Sequence, residues 1–389
     1  MNIKCSYFQI ALLSIVLTIT ASCHVKKEEV VNIVVPDDLP LIDLRGLYPN
    51  GAKGEISFMR SIEKIEYIQL DSYVPIRGIL DFEITEDRII VSASHGDGIH
   101  LYDRKGEYIK SITPSLGGAL ITDVKKGLFY NYDSEYILSF DLSDGRKKTE
   151  TENALYHIPS NTHFLPFSDN FYLVSPLYNQ KTEALDSLEI AVYDSTGLII
   201  QPTLRVSPND VRIGTTRQII IATPIPEGYV FLPPVPYRTP TSYYTIYIAT
   251  KEGIIPVFYF LIDNNMFIRN LLFMNDKLYI HFHSYRNGKE DVIVEYNTIT
   301  QSIEHISIPK YLHLNKNYIP IKGVLNTIDY GCPIWGKKHY THLNIIADAF
   351  SAKNITDFFS YDDLRKNAPE FLRNINSDEN PIIIIYHLK

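Results

Sequence analysis

The chain is poor in cysteine: it has only Cys5, Cys23 and Cys332. If a leader carrying Cys5 is removed and the Cys23 thiol is blocked, Cys332 stands alone and a disulfide framework is impossible. Cys332 reads as a small core residue rather than a nucleophile. A basic stripe is also missing, and the net charge is -8. Without clustered Lys and Arg to neutralise phosphates, nucleic acid is not expected as a partner. There is no P-loop and no dinucleotide fingerprint, so no cofactor is expected. Ser175 lies in L173-V-S-P-L177 and not in a G-x-S-x-G elbow, which argues against a serine hydrolase of that type.

Tyrosine is abundant, at 28 residues, and Ile and Val are frequent. β-Branched and aromatic side chains pack well on a pleated surface, which favours strands. The 22 prolines cut long helices short, because Pro lacks a donor and clashes with the preceding turn.

Residues 1–22 read as a signal peptide. Lys4 supplies a weak positive region, and F8-Q-I-A-L-L-S-I-V-L-T-I19 is a short apolar core. It is too short and too rich in Ser and Thr for a spanning helix, and no later segment is long and apolar enough to be one. Ala21 and Ser22 then precede Cys23. This stretch resembles the lipobox of bacterial lipoproteins, where cleavage exposes the cysteine and its thiol takes a lipid. Thr20 departs from the usual Leu three residues before the cysteine. Lys27, Glu28 and Glu29 resemble the charged export signal that sends Bacteroidota lipoproteins to the outer face of the outer membrane. The resemblance implies an outer-membrane lipoprotein at the cell surface, with the periplasmic face as the alternative. Acyl chains hold a protein firmly, since each buried methylene contributes about 0.8 kcal/mol. Residues 23–40 are expected to be a tether.

From residue 41 to 389 one pattern recurs: a short apolar run ending in Tyr or Phe, then Asp or Asn, a turn, and a second apolar run. I99-H-L-Y-D-R-K-G-E-Y-I-K-S-I112 is the best copy; I137-L-S-F-D-L-S-D-G145, Y244-T-I-Y-I-A-T-K-E-G-I-I255 and V292-I-V-E-Y-N-T-I-T-Q-S-I303 are others. Period-two alternation and a D-x-x-G type of turn predict β-hairpins. Each is preceded by another strand pair, such as F82-E-I-T-E-D-R-I-I-V91 or L271-L-F-M-N-D-K-L-Y-I-H-F282. Four strands per unit, recurring every 40–55 residues or so, predict an all-β, six-bladed propeller. Stacked units bury faces that one unit cannot cover. A short helix is expected over Y361–I375, before the last strand. The four isoleucines of N380-P-I-I-I-I-Y-H-L-K389 predict a strand buried on both faces, paired with I65-E-Y-I-Q-L70 so that the ring closes without exposed edges.

The motifs I42-D-L44, I65-E-Y-I-Q-L70, I99-H-L-Y-D-R-K-G-E-Y-I109 and D378-E-N-P-I-I-I-I-Y-H-L-K389 resemble the Bacteroidota six-bladed β-propeller lipoproteins. The blades are also similar to NHL-type repeats. Where many members carry G-x-G-P-G-E-Y, this chain has S111-I-T-P-S-L-G-G118. The resemblance implies fold and location, and no particular chemistry.

The candidate sites are sparse. His281 and His283 share one face of a strand and can begin a metal site, though a zinc site needs more ligands. Asp186, Glu189, Asp362 and Asp363 are candidates for a carboxylate pair. Tyr237 and Arg238 lie in P233-P-V-P-Y-R-T-P-T-S-Y-Y244, and Trp335 is the sole tryptophan. Aromatics beside polar groups suit a glycan, a peptide or a protein partner, and loops are where such binding concentrates. Two functions are therefore carried forward. One is a noncatalytic binding or scaffolding module. The other is a polysaccharide-acting hydrolase or lyase with acids or histidines converging at the propeller axis.

Overall fold

The computed structural model describes residues 30–33, 39–45, 56–94, 97–113, 119–132, 136–152, 163–167, 170–178, 185–194, 203–206, 221–225, 228–232, 241–250, 253–263, 266–284, 291–307, 324, 326–360 and 362–389. The chain is mostly β, and the described strands make six sheets. In chain order, the first sheet is Ile79–Ile84, Arg88–Ala93, Ile99–Asp103 and Tyr108–Thr113. The second is Ala119–Asp123, Leu128–Tyr132, Tyr136–Asp141 and Lys147–Glu152. The third is His163–Phe167, Asn170–Tyr178, Leu185–Asp194 and Thr203–Val206, with Val30–Ile33 added. The fourth is Ile221–Ile225, Gly228–Leu232, Thr241–Thr250 and Gly253–Asp263, with Leu41–Asp43 added. The fifth is Met266–Met274, Lys277–Ser284, Asp291–Asn297 and Ser302–Ser307. The sixth is Lys338–Tyr340, Ile345–Phe350 and Ile382–Leu388, closed by Ile62–Gln69 from the other end of the chain.

Turn chemistry sets the hairpins. Asp103 accepts the backbone N–H of Lys105 and Glu107 through Oδ1, at 2.8 and 2.9 Å. Gly106 follows at φ +87°, where a Cβ would sit 2.3 Å from the Gln69 carbonyl oxygen, so only Gly fits. Asn275 and Asp276 are both left-handed, with φ of 50° and 58°, which matches the twist of the strands they join.

Inner strands of the first and sixth sheets read as continuous apolar runs because they are covered on both faces. Ile382 and Ile384 enter one core cluster with Leu272, Ile346 and Phe358. Ile383 and Ile385 point the other way and pack with Phe82, Ile84 and Val91 of the first sheet. Likewise, Ile89 and Val91 belong to that second cluster, while Ile90 packs with Leu120 and Phe129 of the second sheet.

Among the described residues there are three short α-helices, Ala352–Phe358, Asp362–Asn367 and Glu370–Arg373, all before the final strand. Ser351 caps the first by accepting the Asn354 N–H, and Ile355 and Phe358 bury its apolar face. This first helix lies upstream of the expected Y361–I375 segment. No described helix is long and apolar enough to cross a membrane. The stretch expected as tether carries a strand of its own, Val30–Ile33, laid parallel on Thr203–Val206.

Candidate functional site

The first strands of the sheets lie toward one another. Ile79–Ile84 packs on Ala119–Asp123, which packs on His163–Phe167; Ile221–Ile225 packs on both Met266–Met274 and Lys338–Tyr340. Charged residues are few on strands so placed, and three of them, Asp81, Glu83 and Lys338, come together.

Asp81 and Glu83 are two residues apart and share a face of Ile79–Ile84. Lys338 Nζ lies 2.9 Å from Asp81 Oδ1 and 2.9 Å from Glu83 Oε1. The other oxygens turn to the second sheet: Asp81 Oδ2 accepts the Leu120 N–H at 2.8 Å, and Glu83 Oε2 accepts the Thr122 hydroxyl at 2.9 Å. Every oxygen of the pair is engaged, and the cluster ties the first, second and sixth sheets together. Glu83 is 7% exposed, and burial pushes its carboxyl up against the pull of Lys338. Burial disfavours the Lys338 ammonium, but Asp81 and Glu83 outweigh it and raise its pKa. Tyr229 of the fourth sheet has its phenol pushed up by burial and by the Glu83 charge.

A second buried carboxylate sets the position of Lys338. Asp348 accepts the backbone N–H groups of Trp335, Gly336 and Lys337 at 2.8, 2.9 and 2.8 Å. Burial raises its pKa against those three bonds. The segment so fixed delivers Lys338 to the acids. Beside Lys338, His339 has its pKa lowered to about 4 by burial, so it is neutral at pH 7.

Another polar cluster lies on the fifth sheet. Glu295 is fully buried, at 0% exposed. It accepts the Ser57 N–H at 2.7 Å and the Ser57 hydroxyl at 2.5 Å. Glu295, Glu304 and His305 each bring a ligand atom within 4.8 Å of the others, the kind of grouping that can hold a metal. The Lys277 ammonium already stands there, 2.5 Å from Glu295 and 2.7 Å from Glu304. Burial alone would raise Glu295, but Lys277 and Ser57 hold it below the usual carboxylate value. The arrangement sets one ammonium between two carboxylates and fastens the Ser57–Ser61 turn to the sheet.

The residues singled out from sequence fall in several places. His281 is buried at 3% exposed, and its ring centroid stands 3.8 Å from that of Trp335. His283 lies on the same strand, but its side chain is outside the described ones. Trp335 is half-buried and packs against the core of the sixth sheet. Cys332 is buried and free, and burial pushes its thiol well up. Cys23, Lys27, Glu28, Glu29, Tyr237 and Arg238 lie outside the described residues, as do the side chains of Asp186, Glu189, Asp362 and Asp363. Sequence reasoning missed Asp81, Glu83, Lys338 and Asp348. The available signal was an acid at alternate positions of an otherwise apolar strand, D81-F-E83. An apolar cavity of about 180 Å³ lies between the fourth and fifth sheets, lined by Ile225, Val230, Ile246, Phe258, Phe273 and Leu278 among others.

These features define a mostly β, propeller-like protein with a saturated polar cluster where its sheets meet. No protein-family model matches the chain, and no curated protein matches it. Among solved structures it is similar to a Bacteroides fragilis protein described as exported. That match has a TM-score of 0.56 and 14% identity, and covers 90% of this chain and 99% of that one. It also aligns with the WD40 domain of SCAP from fission yeast, at TM-score 0.39 and 11% identity, covering 66% of this chain and 57% of that one. The WD40 domain of Neurospora crassa Pan2 aligns at TM-score 0.35 and 12% identity, covering 57% and 62%. At these identities the likeness is one of fold.

Proposed function

We propose that this chain is a six-bladed β-propeller lipoprotein, held in the outer membrane through Cys23 and exposed at the cell surface. It works there as a noncatalytic binding or scaffolding module for a glycan, peptide or protein partner. One observation carries the choice of binding over catalysis. The acids that converge on the first strands spend every oxygen on Lys338, Leu120 and Thr122. A general acid or base has to reach the reacting atom of a substrate, and these oxygens are turned to partners within the protein instead. The fold shared with a Bacteroides fragilis protein described as exported supports an envelope location.

A thermal-shift screen of the chain from Val30 onward, against glycans, peptides and divalent metals, tests this function. A ligand at a hundredfold excess over Kd stabilises the folded state by about 2.7 kcal/mol. A reproducible shift with one ligand class supports the module. Lipid mass on Cys23, lost in Cys23→Ala, supports the anchor.

The rival function is a polysaccharide-acting hydrolase or lyase. It draws on the raised pKa of Glu83, a property shared with catalytic acids. It requires Glu83 to give up Thr122 or Lys338 when substrate arrives.

A further inference from the structure

The strand Val30–Ile33 runs parallel to Thr203–Val206, with Val30 opposite Thr203 and Ile33 opposite Val206. It is the fifth strand of the third sheet, at the edge opposite His163–Phe167. His163–Phe167 packs inward on Ala119–Asp123. Val30–Ile33 therefore marks the outer rim. A second N-terminal strand, Leu41–Asp43, runs parallel to Tyr259–Leu261 at the rim of the fourth sheet. The chain is sewn to two rims before it enters the sixth sheet at Ile62.

This sewing changes what an anchor at Cys23 can do. A tether free as far as Leu41 would reach roughly 60 Å when fully extended. Pinned at Val30, it reaches only about 25 Å. A span of that length cannot let the molecule tumble above the bilayer.

Resting on the lipid-anchor reading above, we infer that the rim of the third sheet, at the end where Val30 meets Thr203, is the membrane-facing surface. The lipid bilayer is its partner. In the six-bladed ring proposed above the sixth sheet stands three places from the third, so its rim, at Ile62–Gln69, is directed away from the membrane. The two parallel strands act as a stay that sets orientation.

The test uses the full-length lipidated protein in phosphatidylcholine vesicles containing a headgroup-labelled acceptor lipid. Cys332 is buried, so a fluorescent donor attaches only at an introduced cysteine. One variant is Asp194→Cys, at the Thr203 end of the third sheet; the other is Lys64→Cys, exposed on the rim of the sixth. The expected result is strong energy transfer from position 194 and weak transfer from position 64. Val31→Pro removes strand pairing and is expected to erase the difference. A Gly/Ser insertion of about eleven residues between Glu29 and Val30, which restores a reach of roughly 60 Å, should do the same without touching the strand. Equal transfer from both positions, with acyl mass present on Cys23, overturns the orientation alone. Absence of acyl mass overturns the anchor and the orientation together. A difference that survives both lengthened tethers overturns the pinned strand as its cause.

Discussion

His387 Nε2 lies 3.1 Å from Glu66 Oε2, across 321 residues of sequence. The contact belongs to an antiparallel pairing in which Ile382 to Leu388 meet Gln69 to Ile62. The last strand of the chain is thus held in one sheet by a strand from its N-terminal side. Closing the sheet this way removes two open edges that would otherwise invite pairing with other chains.

Removing Asn380–Lys389 should abolish the cooperative fold. Ile382, Ile383, Ile384 and Ile385 are all essentially unexposed and divide between two core clusters. Fully burying such side chains is worth about 1.5–3 kcal/mol each, against a whole-domain stability of about 5–15 kcal/mol. Thermal melts followed by circular dichroism check this. A truncated chain that melts like the full-length protein would refute the closure.

Lys338→Met should destabilise by roughly 3–5 kcal/mol, because it leaves Asp81 and Glu83 buried beside one another without their cation. Adding Asp81→Asn and Glu83→Gln should recover much of that loss, since the uncompensated charge is then gone. Denaturant titration of the single and triple variants measures both. Equal stability of the single variant and wild type would show that the cluster ties nothing.

Asp348→Ala should cost roughly 3 kcal/mol or more. It strands three backbone N–H groups, of Trp335, Gly336 and Lys337, and the Gly336 bond is buried. Tryptophan emission should shift as well, because Trp335 rides on that segment. Unchanged emission with unchanged stability would contradict the positioning role.

Acid should weaken the fold through His339. Its folded pKa of about 4 lies below the ordinary 6.5. Between those values the unfolded chain holds more protons, so stability is full above about 6.5 and falls as pH drops toward 4. His339→Phe should flatten the stability profile across that window. An unaltered slope in the variant would assign the acid sensitivity elsewhere.

Glu295 moves stability in the same direction over a lower window. Its pKa is held below the ordinary 4.5, so its contribution is present above that value and is lost as pH falls through the folded pKa. The stability gap between wild type and Glu295→Gln should narrow as pH drops below about 4.5. A gap independent of pH would mean that the charge on Glu295 is irrelevant.

Much of the fold was legible because its signals are local. The D-x-x-G turn at Asp103 and Gly106, and the Asn275-Asp276 turn, each fix a hairpin within a few residues. The closing strand was legible for a different reason: four consecutive isoleucines need cover on both faces, and few segments could supply an edge. Val30–Ile33 and Leu41–Asp43 were not legible as strands. Each is short, pairs in parallel with a distant edge and has no neighbouring turn to announce it. The polar cluster was half visible. D81-F-E83 stands in the sequence, but its meaning depends on Lys338, which only the closed arrangement of sheets brings within 2.9 Å. The buried ring of His281 shows the same limit from the other side, since Trp335 covers it from the segment that precedes the sixth sheet.

The central claim, binding without catalysis, is tested most directly by incubating the protein with an array of surface polysaccharides and oligosaccharides. Retention and chain cleavage are then measured on the same samples. The account predicts retention of one ligand class, with product chromatography and mass spectrometry showing intact ligand. Accumulating cleavage products that disappear in Glu83→Gln would contradict it and assign the axial carboxyl to catalysis.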